Sequence, residues 1–321
     1  MKALVTGVAG FVGSSLAVEL LRAGHQVVGI DSLTDYYGRD LKEDNLARIP
    51  PTGFRLVRGS LNTVDLRALL AGVDVVFHQA GQPGVRKSWG RDFAVYVREN
   101  VEATQRLLEA ARESSGLTRL VYASSSSVYG NAERYPTRET DTPAPLSPYG
   151  VTKLAAEHLC SLYARNFGVP TVSLRYFTVY GPRQRPDMAF TRFVRAAVTG
   201  GEIRVFGDGN QIRDFTYIDD VVRANMLAAT RAAPPGTVLN IAGGGHVTVN
   251  ETLDIIAGIS RSPLRVTYTD AVDGDVRRTG GATELAGELL GWQPRVAVHE
   301  GLRHHLDWME SALAVREMAS A

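Results

Sequence analysis

A glycine turn set between a strand pattern and a helix pattern restricts this chain's fold more than any other feature. Lys2-Ala-Leu-Val-Thr6 reads as a short buried strand that runs directly into Gly7-Val-Ala-Gly10-Phe11-Val12-Gly13. From Phe11 to Leu21, apolar residues recur at helical spacing. In that setting Gly7 permits the tight turn, Gly10 lets backbone approach a pyrophosphate, and Gly13 lets helix and strand pack closely. The phosphates then rest on the positive N-terminal end of the helix. An ordinary three-glycine turn is the plain alternative, and the strand–helix placement argues against it. A second strand, Gln26 to Ile30, ends in Asp31, eighteen residues after Gly13. A carboxylate there accepts the hydroxyls of an adenosine ribose and repels a 2′-phosphate, which favours NAD over NADP. A simple turn role for Asp31 at the strand end stays open.

Apolar β-type runs at 2–6, 26–30, 54–58, 73–78, 119–124, 170–176 and 237–241 alternate with helical patterns. The helices are expected to begin near Gly10, Thr63, Asn100, Pro148, Arg192, Asp219 and Thr248. The alternation predicts an α/β fold, a doubly wound parallel sheet with helices on both faces. From about Thr178 the rhythm breaks into Gly-, Pro- and charge-rich loops. We therefore expect residues 1–177 to form the nucleotide-binding domain, with segments near 215–242 returning to it. Residues 178–321 form mainly a smaller C-terminal substrate lobe, and Ser311–Ala321 is expected to fray.

Lys+Arg 35 against Asp+Glu 34 leaves a net charge of +1. Nothing electrostatic calls for a nucleic acid or a membrane surface as partner. A single cysteine, Cys160, excludes an internal disulfide and suits a reducing compartment. The chain opens in a strand rather than a signal peptide, and no apolar run is long enough to span a bilayer, so the expected location is the cytoplasm. The seven histidines show no zinc-type spacing, no metal is implied, and His78 reads as structural.

The chemistry sits further along. Tyr149 and Lys153, in Ser147-Pro-Tyr-Gly-Val-Thr-Lys153, lie one turn apart on one helix face. An ammonium there favours the phenolate, so a phenol of ordinary pKa about 10 serves as a base near neutral pH. Ser124-Ser125-Ser126-Ser127 places four hydroxyls at the carboxyl end of a predicted strand, where ligands of open α/β sheets bind. The turn His78-Gln79-Ala80-Gly81-Gln82 is small enough to pass close to a dinucleotide.

Gly7-x-x-Gly10-x-x-Gly13, Asp31, Asn100, the serine cluster and Tyr149-x-x-x-Lys153 together resemble the extended short-chain dehydrogenase/reductase family. Within it the chain resembles the nucleotide-sugar epimerases over nearly its whole length. The resemblance implies a Rossmann sheet, a tightly held NAD, a UDP-sugar substrate and a homodimer built by helix packing. It implies Ser125 as the catalytic hydroxyl, Tyr149 as acid/base and Lys153 as its partner. Phe11, Val12, Ser60, Leu61, Gln79, Ala80, Gln82, Asn100 and Tyr176 join the glycines and Asp31 as implied cofactor contacts, Asn100 helping to order the site. Sugar dehydratases carry Asp-Glu where this chain has Ser126 and Ser127, and the UDP-xylose-forming decarboxylases carry Glu at the second position. Without that acid, reversible epimerisation at C4 remains. Its course is implied to run through a 4-keto sugar that turns over between loss and return of hydride.

The hexose is suggested by Arg175-Tyr-Phe-Thr178 and Arg185-Pro-Asp-Met-Ala189. UDP-glucose/galactose epimerases place Asn where Thr178 stands, whereas Thr with this arginine resembles UDP-glucuronate 4-epimerases. A hydroxyl and a guanidinium suit a C6 carboxylate better than a neutral hydroxymethyl group. Gly84-Val-Arg86-Lys-Ser88 resembles the sugar-side loop of uronate enzymes. For both Arg185 and Arg86 a solvated loop position stays open. The resemblance adds Arg192, Val205 and Arg213 on the substrate side, Arg213 toward the diphosphate, and Asp275 for the uridine ribose. Two departures stand out: Val272 replaces a phosphate-binding Arg, and Ser60 replaces an Asp that holds the adenine amine. Rival readings are a UDP-glucose or UDP-N-acetylglucosamine 4-epimerase and a non-catalytic NAD(H)-binding regulator.

Overall fold

The computed structural model describes residues 1–271 and 276–320. Its elements, in chain order, begin with β1 (Lys2–Thr6), α1 (Phe11–Arg22), β2 (Gln26–Asp31), α2 (Arg39–Ala47), β3 (Phe54–Arg58), α3 (Leu66–Leu70) and β4 (Val75–His78). Next come α4 (Phe93–Tyr96), a π-helical turn (Val97–Glu102), α5 (Ala103–Arg112), β5 (Arg119–Ser125), α6 (Pro148–Phe167), β6 (Thr171–Tyr176) and β7 (Thr178–Tyr180). The remainder is α7 (Ala189–Thr199), β8 (Glu202–Phe206), β9 (Ile212–Tyr217), α8 (Ile218–Thr230), β10 (Thr237–Ile241), β11 (His246–Thr248), α9 (Val249–Ser260), β12 (Arg265–Thr269), α10 (Glu284–Leu290) and α11 (Val298–Ser320).

Seven strands form one sheet in the order β10-β6-β5-β4-β1-β2-β3, every neighbouring pair parallel. The order reverses between β1 and β4, and this switch point opens the crevice in which such sheets bind ligands. Side chains alternate across the sheet. Ala3, Val5, Val27, Phe77 and Val172 pack toward Leu16 and Leu20 of α1 and Val221 and Ala224 of α8. Leu4, Val28, Val76, Leu120 and Tyr122 pack toward Leu69 of α3, Leu107 of α5 and Cys160 of α6. Burial on both faces is why these strands read as unbroken apolar runs rather than alternating ones.

The later chain builds two small sheets, β11-β9-β7 and β12-β8. Their apolar residues Ile203, Val205 and Phe215, with Phe190 and Val194 of α7 and Ile256 of α9, join the α1/α8 face of the main core. β10 returns to pair with β6 at the edge of the large sheet. The seven strands of the large sheet lie where the apolar runs place them, each within two residues, whereas β7, β8, β9, β11 and β12 fall on segments where no strand was expected. Four helical segments depart from expectation as well. α2, α10, α11 and the helical stretch from Phe93 were not foreseen, and α11 runs to Ser320 where fraying was expected. No helix among the described residues is long and apolar enough to cross a membrane.

Candidate active site

Local rules place the reactive residues. Ser147 caps α6, its hydroxyl accepting from the Gly150 N–H at 3.1 Å, and Pro148 takes the first helical position. Tyr149 is thereby locked into the first turn, with Lys153 and Glu157 following at four-residue steps on the same face. β5 ends in Ser125, whose hydroxyl accepts from the Ser127 N–H at 3.1 Å and hydrogen-bonds the Tyr149 phenol. Both groups open on a cavity of about 420 Å³ at the carboxyl ends of β1, β4 and β5.

One end of that cavity is a dinucleotide cradle. α1 starts after Gly10 with no side-chain cap and no acid in its first turn, so its first N–H groups need an external acceptor. Gly7 turns at φ +66°, and a Cβ on Gly13 would collide with the Gly7 carbonyl. Gly7, Gly10, Phe11, Val12, Gly13, Asp31, Ser60, Leu61, Gln79, Ala80, Gln82 and Tyr176 all line the cavity. Asp31 is buried, accepting from the Ala9 and Leu33 N–H groups at 3.0 and 2.8 Å. An uncapped helix end with a buried carboxylate beside it fits a pyrophosphate and an adenosine ribose. Asn100 does not line the cavity. From the π-helical turn its amide accepts from the Gln82 N–H at 2.6 Å and donates to the Gln82 carbonyl at 3.1 Å and the Thr152 hydroxyl at 3.0 Å. It braces the loop after β4 against α6. His78 is structural, flanked by the hydroxyls of Thr6 at 2.8 Å and Thr104 at 2.9 Å, and burial pushes its pKa down to about 3.

The other end holds Ser125, Ser126, Ser127, Tyr149, Lys153, Thr178 and Arg185 together. Arg185 is no solvated loop arginine. Its side chain is 19% exposed and forms a bidentate pair with Asp187, both contacts at 2.9 Å. Electrostatics differ from expectation at Tyr149. Burial raises the phenol above its usual pKa of 10, while the Ser125 hydrogen bond and the charge of Arg185 pull it down. Lys153, expected to be the activating cation, lies over the Tyr122 ring at 4.5 Å, and burial lowers its own pKa to about 8.

Several residues expected on the substrate side do not line this cavity. Ser88 is buried and donates to the Val85 carbonyl at 2.6 Å, which spends its hydroxyl inside its own turn. Arg86 lies over the Phe206 ring at 4.4 Å, outside the cavity lining. Val205 packs into the core, Arg192 is exposed on α7, and Arg213 on β9 donates to the Ile212 carbonyl at 2.9 Å. None of these three lines the cavity. Asp275 and Val272 lie outside the described residues. Tyr36, Tyr37 and Lys42, which no motif singled out, do line it. Tyr36 sits between Lys87 at 4.8 Å and Arg185 at 5.8 Å from its ring centre. Behind the serines, Arg175 pairs with Glu157 at 2.6 Å and donates to the Tyr129 hydroxyl at 2.6 Å, while Ser124 donates to Glu157 at 2.6 Å. This buried network anchors the end of β5 to α6.

The similarities agree with this geometry. A crystal structure of a UDP-glucuronic acid 4-epimerase from Bacillus cereus, in complex with UDP-glucuronic acid and NAD, superposes with a TM-score of 0.93 at 41% identity, over 97% of this chain and all of that one. A UDP-glucuronate 4-epimerase of Thermodesulfobacterium geofontis is 34% identical over 95% of each chain. A Bacillus subtilis protein named as the uncharacterized UDP-glucose epimerase YtcB is 43% identical, over 97% of this chain and 98% of that one. Residues 3–242 match the pattern of the NAD dependent epimerase/dehydratase family, and with these relatives along nearly its full length the chain belongs to that family.

Proposed function

We propose that this chain is an NAD-dependent epimerase that inverts C4 of UDP-glucuronate to give UDP-galacturonate. One observation carries the uronate: a largely enclosed Arg185 shares one cavity with Thr178, Ser126 and Ser127 and with the Ser125–Tyr149–Lys153 group. The α1 end, Asp31 and the loop Gln79–Gln82 would hold NAD, which supplies a hydride acceptor and later donor together with a positively charged ring. Tyr149 takes the C4 hydroxyl proton and returns it, and Ser125 hydrogen-bonds the phenolate as it forms. The sugar passes through a 4-keto form that is also a β-keto acid. Loss of carbon dioxide needs the breaking bond aligned with the carbonyl, so a carboxylate fixed out of that alignment is protected. Arg185, Thr178, Ser126 and Ser127 are assigned that clamp.

The small sheets and α7 are assigned to the substrate lobe. A homodimer is supported by two exposed apolar rows, Trp89, Phe93 and Val97 leading into the π-helical turn and Val151 and Leu162 along α6. The unpaired Cys160 suits the cytoplasm.

A neutral hexose is the second reading, favoured by the Arg185–Asp187 pair, which already occupies the Nε–Nη2 edge of the guanidinium and offsets its charge. Steady-state rates of UDP-glucuronate and UDP-glucose with the parent and Arg185→Ala decide between them. On the uronate reading the variant loses about ten- to a hundredfold in kcat/KM for UDP-glucuronate and far less for UDP-glucose, since a charge-assisted contact contributes roughly 1.5–3 kcal/mol. Equal losses on both sugars, or a parent that prefers UDP-glucose, would transfer the assignment to the neutral sugar.

A further inference from the structure

Behind α1, away from the catalytic cavity, lies a second cleft of about 790 Å³. Arg22, Arg48, Arg183 and Arg223 line it against two carboxylates, Glu19 and Asp219. Arg223 is already engaged, with Asp220 at 2.8 Å and the Gln293 carbonyl. The other three guanidiniums form a poorly compensated cationic group. Arg22 has only a loose 3.9 Å contact to Glu19, and both side chains are well exposed. Arg48 is exposed at the end of α2.

Arg183 is the unusual member. Its guanidinium is substantially buried, its one hydrogen bond is to the neutral Ser15 hydroxyl at 2.8 Å, and no carboxylate among the described residues lies within 4 Å. Burial and the charges of Arg48 and Arg22 all act against its protonated form, and only Asp219 and the Tyr217 phenol act for it. Its backbone is left-handed at φ +70°, a conformation that a long side chain adopts only when its surroundings hold it there. Trp308 forms part of the opposite wall, and its indole N–H is buried without an acceptor. Three cations and a donor without a partner converge on space bordered by Val18, Val222 and Met226.

We propose that this cleft is a second anion site, built for a diphosphate group, free or carried on a nucleotide, and that its occupancy is felt in the catalytic cavity. Guanidinium groups bind phosphate oxygens in bidentate fashion, and a dianion or trianion supplies the charge the cluster lacks. The route to the cavity is short. Arg183 and Arg185 flank Gln184, whose buried amide donates to the Val179 carbonyl at 2.8 Å and accepts from the Thr191 N–H at 3.1 Å. Gln184 acts as a fixed pivot, with Arg183 reaching the outer cleft and Arg185 the inner cavity. An anion that draws Arg183 outward therefore changes the setting of Arg185.

Calorimetric titration of inorganic pyrophosphate and of ADP into the full chain, with NAD saturating, tests the site. The tighter of the two names the source of the diphosphate. The expected result is saturable binding that weakens at least about tenfold in the double variant Arg22→Ala/Arg48→Ala, the consequence of losing two charge-assisted contacts. Those side chains are exposed and outside the catalytic cavity, so turnover without added anion stays within about twofold of the parent. Absence of binding, or equal binding in parent and double variant, overturns the site. The coupling is read separately: the bound anion shifts the KM for the sugar nucleotide in the parent and not in the double variant, and an unchanged KM overturns it. Calorimetry needs no turnover, so the site stands or falls independently of the substrate assignment.

Discussion

Burial raises the Tyr149 phenol, the Ser125 hydroxyl and the Arg185 charge lower it, and burial prevails. In the cofactor-free protein the base is therefore protonated at neutral pH, since a group whose pKa is raised above 10 ionises only above that value. The difference in phenolate absorbance between the parent and Tyr149→Phe should appear only above about pH 10; a transition near pH 7 in cofactor-free protein would refute this. Tyr149→Phe should fold normally and lose at least about a hundredfold in turnover, because positioned acid–base groups typically contribute about 10²–10⁴. Near-parental turnover would remove Tyr149 as the base. At this scale the sequence was legible where a motif names the residue. Tyr36, Tyr37 and Lys42 escaped it because they sit in and beyond a loop whose path across the cavity follows from tertiary packing, not from any local period. Ser88 and Val205 fall outside the lining for the same reason: nothing in a linear pattern tells an inward side chain from a lining one.

Among the elements, the π-helical turn Val97–Glu102 does work that an α-helix would not place in the same way. It carries Asn100 beneath the loop after β4, where one amide meets Gln82 on both sides of its peptide and Thr152 on α6. Asn100→Ala should cost about 1–3 kcal/mol, chiefly by leaving the Gln82 N–H buried without an acceptor. Urea unfolding should show a lower midpoint with an unchanged slope, and NAD affinity should fall with it; an unaltered midpoint would show the brace to be dispensable. Helix-level legibility followed amphipathicity. α8 and α9 present clear apolar stripes and were anticipated, whereas α2 (Arg39-Asp-Leu-Lys-Glu-Asp-Asn-Leu-Ala47) is polar around most of its circumference and carries no such signal. The strands of the large sheet were the plainest elements, because double-sided burial leaves them continuously apolar, whereas the short strands of the two small sheets carry no such run.

For the molecule as a whole, the exposed rows Trp89–Phe93–Val97 and Val151–Leu162 lie on neighbouring helical segments. Large apolar side chains gathered on one surface mark an association face. Leu162→Asp should convert a dimer to a monomer in sedimentation equilibrium, with secondary structure preserved. A parent that sediments as a monomer would dismiss the dimer, and a variant that stays dimeric would place the contact elsewhere.

The sheet order carries a consequence for how the chain is assembled. β1 precedes every other strand and lies inside the sheet, with β2 and β3 extending one side and β4, β5, β6 and β10 the other. During synthesis each new strand of this sheet therefore meets a neighbour that has already emerged. Between β6 and β10, however, β7, β8, β9 and the intervening helices appear first. Until Thr237–Ile241 emerges, β6 remains an open edge, so a ribosome stalled in that interval holds a nascent chain whose β6 can still capture a foreign strand.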